Sequence, residues 1–190
     1  MNNFILNLRP ALASLILFTL IFGVAYPLTI TIIAQMIFPK QSEGSLIQNP
    51  KGEIIGSALI GQNFTANKYF WSRLSATSPA YNAAASSGSN MGVNNESLIE
   101  NIKVRINNLE IPKAVIPIDL ITASASGLDP HISPESARIQ IGRVAKARGL
   151  QISSLEKLID QHIENPDILI LGEKRINVLK LNIALDNLQQ

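Results

Sequence analysis

Hydrophobic and polar positions divide this chain sharply at Lys40. From Pro10 to Pro39 the sequence PALASLILFTLIFGVAYPLTITIIAQMIFP carries no charge, whereas beyond it short apolar runs alternate with polar residues, glycines and prolines. About twenty apolar residues suffice to cross a bilayer core. Residues 10–39 therefore read as one transmembrane helix, residues 1–9 as a short tail and residues 40–190 as a separate folded domain. Gly23-Val24-Ala25 offers small residues suited to signal cleavage, but the run stays apolar through Ile30, Ile33, Ile37 and Phe38. A signal's apolar region is short and gives way to polar sequence, so an anchor is the better reading. Pro27 inside the span is tolerable where a local bend or a neighbouring helix re-satisfies the carbonyl it frees.

In the domain, Ser45-Leu46-Ile47 and Glu53 to Ile60 read as two strands of a hairpin turning at Asn49-Pro50-Lys51-Gly52. Residues 62–92 are too rich in Ser, Ala, Gly and Asn for a packed element. They nevertheless contain Phe64, Tyr69, Phe70, Trp71 and Tyr81, which argues for an ordered loop with a function. A helix capped by Asn94 or Asn95 runs to Leu109, with Leu98, Ile102, Ile106 and Leu109 at helical spacing. Val115 to Ile121, interrupted by Pro117, suggests an edge strand. A second unusual loop, residues 122–134, delivers into a helix with Ser133 as cap and Pro134 at its first position, running to about Arg148 and stopped by Gly149. Ser153 with Glu156 has capping-box spacing for a helix ending near Glu164. Ile168 to Leu171 suggests a strand, and Asn177 a cap for a last helix in which Val178, Leu181, Leu185 and Leu188 share a face. Helices and strands without a βαβ rhythm make the class α+β.

Composition narrows the function. Of sixteen lysines and arginines only Arg9 precedes the span, so the domain carries fifteen against fourteen acidic residues, with no basic run to suit nucleic acid or an anionic surface. Absence of cysteine rules out disulfides, thiolate metal sites and lipoprotein acylation. Charge leaves the orientation nearly tied, but a nine-residue tail is easily left inside while a long domain translocates. The domain is therefore expected outside.

Catalytic motifs are sparse. His131 lies near Asp129 and Asp119 in sequence, yet no second histidine is close enough to complete a metal site; His162 falls on a polar helical face and reads as solvated. Ala123-Ser124-Ala125-Ser126-Gly127 lacks the first glycine of a nucleophile elbow, and no glycine-rich loop ends in Lys-Ser/Thr. An anchored hydrolase using Asp129 and His131, or an anchored module binding an envelope polymer through its aromatics, remain the alternatives to a non-catalytic subunit.

Specific blocks support the last of these. Arg9-Pro10 and Tyr26-Pro27-Leu28 mark the span, followed by Leu59-Ile60-Gly61-Gln62, Tyr69-Phe70-Trp71-Ser72-Arg73, Ser75-Ala76-Thr77, Tyr81-Asn82 and Ser87-Gly88-Ser89-Asn90. The block Asp119 to Ser124 with Ser126-Gly127-Leu128-Asp129-Pro130-His131-Ile132-Ser133-Pro134 is the most specific, and Arg143-Val144-Ala145 and Arg175 to Leu179 complete it. With these the chain resembles the KdpC family, the C subunit of the bacterial Kdp potassium-transporting P-type ATPase. Leu74 and Ala125 depart from the family pattern, which more often has proline and glycine there.

The resemblance implies an inner-membrane protein with its domain outside. Its expected partners are a channel-like potassium-binding subunit, a P-type ATPase catalytic subunit and a small peptide subunit. Potassium, ATP and magnesium would be handled by those partners, with no cofactor held by this chain. Members are described as raising the ATP affinity of the catalytic subunit. An outside domain without a phosphate loop instead suits assembly and ion access over the outer mouth. Trp71, Tyr81, Asn82, Asn90, Asp119, Asp129 and His131 are the candidate interface or loop-ordering residues, and Asp119 and Asp129 could also concentrate cations.

Overall fold

The computed structural model describes residues 2–49, 51–109, 111, 116–166 and 171–188, with side chains from residue 7 onward. The chain forms two compact units, Met1–Leu46 and Ile47–Gln190.

In the first unit, helix α1 (Asn2–Phe18) passes through a π-helical stretch, Thr19–Ala25, into α2 (Tyr26–Ile37). Asn7–Ile37 is the one helix among the described residues long and apolar enough to cross a membrane. The π-helical register has a local cause. Pro27 has no N–H to offer the preceding turn, and wider i→i+5 bonding, such as the Tyr26 amide to the Ile21 carbonyl, takes up the misfit. Thr29 adds its hydroxyl to the Ala25 carbonyl at 2.8 Å. Phe38, at φ −131° and ψ 61°, leaves the helical conformation and ends the helix before the short α3 (Pro39–Ser42).

The second unit is α+β. The hairpin forms, with its second strand shorter than the expected Glu53 to Ile60: β1 (Leu46–Gln48) and β2 (Ile54–Ser57) pair as a two-stranded sheet. Asn49 organises the turn, its Oδ1 accepting from the Lys51 and Glu53 amides at 2.9 and 3.0 Å. After the long loop come α4 (Glu96–Leu109), α5 (Ile118–Ile121), β3 (His131–Ile132), α6 (Pro134–Arg138), α7 (Ile141–Arg148), α8 (Ile152–Gln161), β4 (Ile163–Glu164), β5 (Arg175–Asn177) and α9 (Val178–Asn187). The second sheet is antiparallel in the order β3-β5-β4, with Ile132 and Ile163 both opposite Ile176.

Two caps work as the sequence anticipates. Ser133 Oγ accepts from the Ser136 amide and Asn177 Oδ1 from the Lys180 amide, both at 3.1 Å. Asn95 likewise accepts from the Ser97 amide at the start of α4. Several expectations are corrected. The 115–121 strand is not seen where described: Ile118–Ile121 is one helical turn after extended Pro117, which sends Leu120 inward. The single helix to Arg148 is two, because at Gln140 the amide bonds back only to Ala137, tightening the turn and pointing the side chain inward. Gln151, not Ser153, stands at the α8 cap, and the helix stops at Gln161 so that Ile163 and Glu164 can pair with β5. His162 is half-buried with Nδ1 2.8 Å from the Leu158 carbonyl, rather than solvated. Leu188 lies past the end of α9 and is 46 % exposed, unlike Val178, Leu181 and Leu185. Residues 167–170, most of the expected 168–171 strand, lie outside the described residues, as does Val115.

Helices α6 to α9 and the three-stranded sheet enclose the main core, built from Phe70, Ile132, Val144, Leu155, Ile159, Ile176, Leu181 and Leu185 among others. A smaller core groups Trp71 with Leu109 and Leu120. Neighbouring side chains of an extended backbone point to opposite sides, so Phe70 and Trp71 feed the two cores in turn.

Candidate functional site

The root of the 62–92 loop is held by side chains in place of a sheet. Phe70 donates its amide to Asn182 Oδ1 and its carbonyl accepts from Asn182 Nδ2, both at 2.9 Å. Trp71 repeats the pattern with Gln140, its amide donating at 2.7 Å and its carbonyl accepting at 3.2 Å. Both amide residues are fully buried, so each satisfies backbone groups that burial would otherwise leave unpaired. Arginines complete the hold. Arg143 donates to the Asn67 and Tyr69 carbonyls and lies 4.1 Å from the Trp71 ring centroid. Arg148 donates to the Lys68 carbonyl and pairs with Asp186 at 2.6 Å, and Asp186 also accepts from the Tyr69 hydroxyl. Burial foremost, then Asp186, raises the Tyr69 phenol above its ordinary value.

Beyond Ser72 the two small-residue loops lock onto one another. Ser124 donates its amide to the Leu74 carbonyl, and Leu74 and Ala123 form an isolated parallel bridge. Ser75 Oγ donates to the Gly127 carbonyl at 2.7 Å and accepts from the Tyr81 amide at 2.9 Å. Ser87 donates its amide to the Ser126 carbonyl, and Ser86 adds its hydroxyl to the same oxygen. Two glycines are required by contact. A Cβ on Gly88 would lie 2.8 Å from the Ala125 carbonyl oxygen, and one on Gly127, where φ is +69°, would lie 2.6 Å from that of Ser87. Ala83, Ala84, Ala85, Ser86 and Ser87 remain exposed on the outer side of this lock.

The candidate residues fall into three places. Trp71 is buried, its indole N–H donating to the Ala66 carbonyl, and belongs to the smaller core. Tyr81 and Asn82 lie inside the first loop: the Tyr81 hydroxyl donates to the Arg73 carbonyl, and the Asn82 amide to Thr77 Oγ1. Burial raises the Tyr81 phenol, against smaller opposing contributions from Ser72 and the nearby arginines. Asn90 is exposed and takes φ +51°, a conformation asparagine tolerates better than most residues.

Asp119, Asp129 and His131 meet on one groove of about 680 Å³, with Arg73, Glu135 and Arg175 also on its walls. Asp119 accepts from the Ser133 amide at 2.8 Å and from the Ser133 and Ser136 hydroxyls, tying α5 to the start of α6. Asp129 accepts from Arg73 Nη1 at 3.1 Å and from the His131 amide at 3.0 Å. Burial alone would raise the Asp129 carboxyl, but the His131 ring and amide and the Arg73 guanidinium outweigh it and hold it below the ordinary carboxylate range. His131 also faces Glu164, Nε2 to Oε2 at 3.8 Å. Glu164 is likewise held low, Lys180 above all outweighing its burial, with His131 and Arg175 assisting. Among the described residues no three carboxylate or imidazole side chains converge as metal ligands.

Sequence reasoning missed Gln140, Asn182, Arg105 and Arg148, and had Arg143 only as part of a family block. A signal was present for Asn182, which interrupts the apolar stripe Val178, Leu181, Leu185 at a helical position that should face the core.

Among the described residues, one helix long and apolar enough to cross a membrane and a mixed helix-and-strand unit whose loops are braced from within fit a single-pass membrane anchor followed by a folded domain. The family model described as "KdpC: K+-transporting ATPase, c chain" matches residues 8–187. The chain belongs to this family. Proteins named potassium-transporting ATPase KdpC subunit are similar throughout: that of Herpetosiphon aurantiacus is 52 % identical over 95 % of this chain and 96 % of its own length. Those of Geobacter sulfurreducens and Polaromonas naphthalenivorans are each 52 % identical, covering 96 % of this chain and 98 % and 95 % of theirs.

Proposed function

We propose that this chain is the non-catalytic accessory subunit of an ATP-driven potassium uptake complex. Its helix anchors it in the bacterial cytoplasmic membrane with the amino terminus inside and the domain outside. There the domain covers the outer mouth of a channel-like potassium-binding subunit, while a P-type ATPase subunit handles ATP and magnesium and a small peptide subunit completes the assembly. Family membership supports the complex. The observation that carries the docking role is the lock between the two loops, which keeps an exposed face of small side chains in one shape. A preformed surface avoids the entropy loss of ordering on association, and alanine and serine side chains leave room for a partner to approach closely.

The test is Ala84→Arg, an exposed position on that face, in the complex purified through a tag on this chain. Covering the ion entrance predicts that the complex is recovered and needs at least about fivefold more potassium for half-maximal ATPase activity, equivalent to about 1 kcal/mol. KM for ATP should stay unchanged. A raised KM for ATP with unaltered potassium dependence would favour the nucleotide-affinity role, and no change in either would refute both.

A further inference from the structure

A groove of about 460 Å³ runs between α4 and the two loops, away from the Asp129 cluster, with apolar walls that include Met91, Leu98, Ile102 and Ile121. Among the described residues Arg105 is the sole charged one lining it. The half-buried guanidinium donates through Nε to the Leu120 carbonyl at 3.1 Å and through Nη2 to the Ser72 carbonyl at 2.8 Å, and lies 5.2 Å from the Trp71 ring centroid. Among the described residues Nη1 has no hydrogen-bond partner, and no carboxylate pairs with the group. Burial lowers the basicity of Arg105, with Tyr81 opposing in part. A cation withdrawn from water is ordinarily matched by an anion, and none of the described residues supplies one here.

We propose that this groove binds an extended segment of a partner polypeptide that carries an aspartate or glutamate, whose carboxylate pairs with Arg105. Charge complementarity selects the carboxylate. The apolar walls and rim select a polypeptide over a free anion: Val104 lines the groove while 49 % exposed, and Val93, two residues past Met91, is 85 % exposed. A small anion would leave both wet. Asn101 and Asn108 also line the groove, and neither side chain makes a hydrogen bond among the described residues. Seven helical residues separate them by about 10 Å, the length of about three residues of extended chain. The two amides are therefore spaced to read a peptide backbone on either side of the acidic residue. The inference rests on the chain being a subunit of a complex, and is independent of which side of the membrane the domain occupies.

The test places a photo-crosslinking benzoylphenylalanine at Val104 of the tagged full chain, illuminates intact membranes, and identifies the product by mass spectrometry. The expected product is one partner segment with Asp or Glu within about three residues of the crosslink, the reach of the two amides. Asn101→Asp puts a competing carboxylate beside Arg105 and should lower the yield about tenfold or more, while Asn101→Gln should leave it within about twofold. Asn101 is exposed, so neither change threatens the fold. A segment without a carboxylate, a lipid adduct, or a yield indifferent to Asn101→Asp would overturn the proposal. Recovery of the complex is the separate readout: an intact complex with no crosslink overturns the groove alone, whereas a chain recovered without partners overturns the subunit reading as well.

Discussion

Asn182→Ala tests the claim that buried amide side chains hold the root of the first loop. Asn182 is 1 % exposed and Phe70 fully buried, and the two are joined by two hydrogen bonds of 2.9 Å. Truncation leaves the Phe70 N–H and C=O without partners in the core. Each orphaned group costs about 1–3 kcal/mol, so the loss should be about 2–6 kcal/mol, against a total stability of about 5–15 kcal/mol for a domain. Trp71 is the sole tryptophan and sits next to the broken contact, so its fluorescence reports directly on the loop. Urea unfolding of the full chain in detergent, followed at that tryptophan, gives the difference from midpoint and slope. Asn187→Ala, exposed at the end of the same helix, should shift stability by no more than about 0.5 kcal/mol. A loss for Asn182→Ala as small as the control's would refute the reasoning, and with it the view that the loop is preformed rather than shaped by a partner.

Gly127→Ala forces a side chain into a left-handed backbone conformation and against the Ser87 carbonyl and the Thr77 methyl, each 2.6 Å from the new Cβ. It should cost at least about 2 kcal/mol in the same unfolding assay and reduce recovery of the complex; unchanged stability would show that the two loops do not depend on their contact. The carboxyls of Asp129 and Glu164 are held below their ordinary values in the folded chain. Their stabilisation is therefore complete above the unfolded values of about 3.9 and 4.3 and disappears as pH falls through the lower folded ones. The urea midpoint should drop across that acid window, and Asp129→Asn should flatten the drop; an identical acid slope would remove Asp129 from the account.

Much of this architecture follows from local signals. The charge-free run needs only its length to be read as a span, and Ser133, Asn177 and the Asn49 turn act through hydrogen bonds to residues two to four positions away. The strands β3, β4 and β5 were invisible because elements of two or three residues are too short to show a period, and they exist only where Ile132 and Ile163 both find Ile176. The expected strand before Ile121 failed for a related reason. Its apolar residues suit either state, and the turn that sends Asp119 to the Ser133 amide decides for helix.

The candidate site divides in the same way. Tyr81, Asn82 and Asp129 could be singled out because they stand in loops too unusual to be mere connections, yet nothing local separates them from Trp71, which proves to be core. By itself the sequence determined the long apolar helix, the α+β class, the caps at Ser133 and Asn177 and the family blocks, since each is a matter of composition or near-neighbour chemistry. Only the tertiary structure decided that Gln140 and Asn182 stand in for a missing sheet, and that Arg105 reaches a groove where no described residue offers a carboxylate. The two amide contacts join residues 69 and 112 positions apart, and burial, which turns an ordinary amide into a requirement, is a property of the folded chain alone.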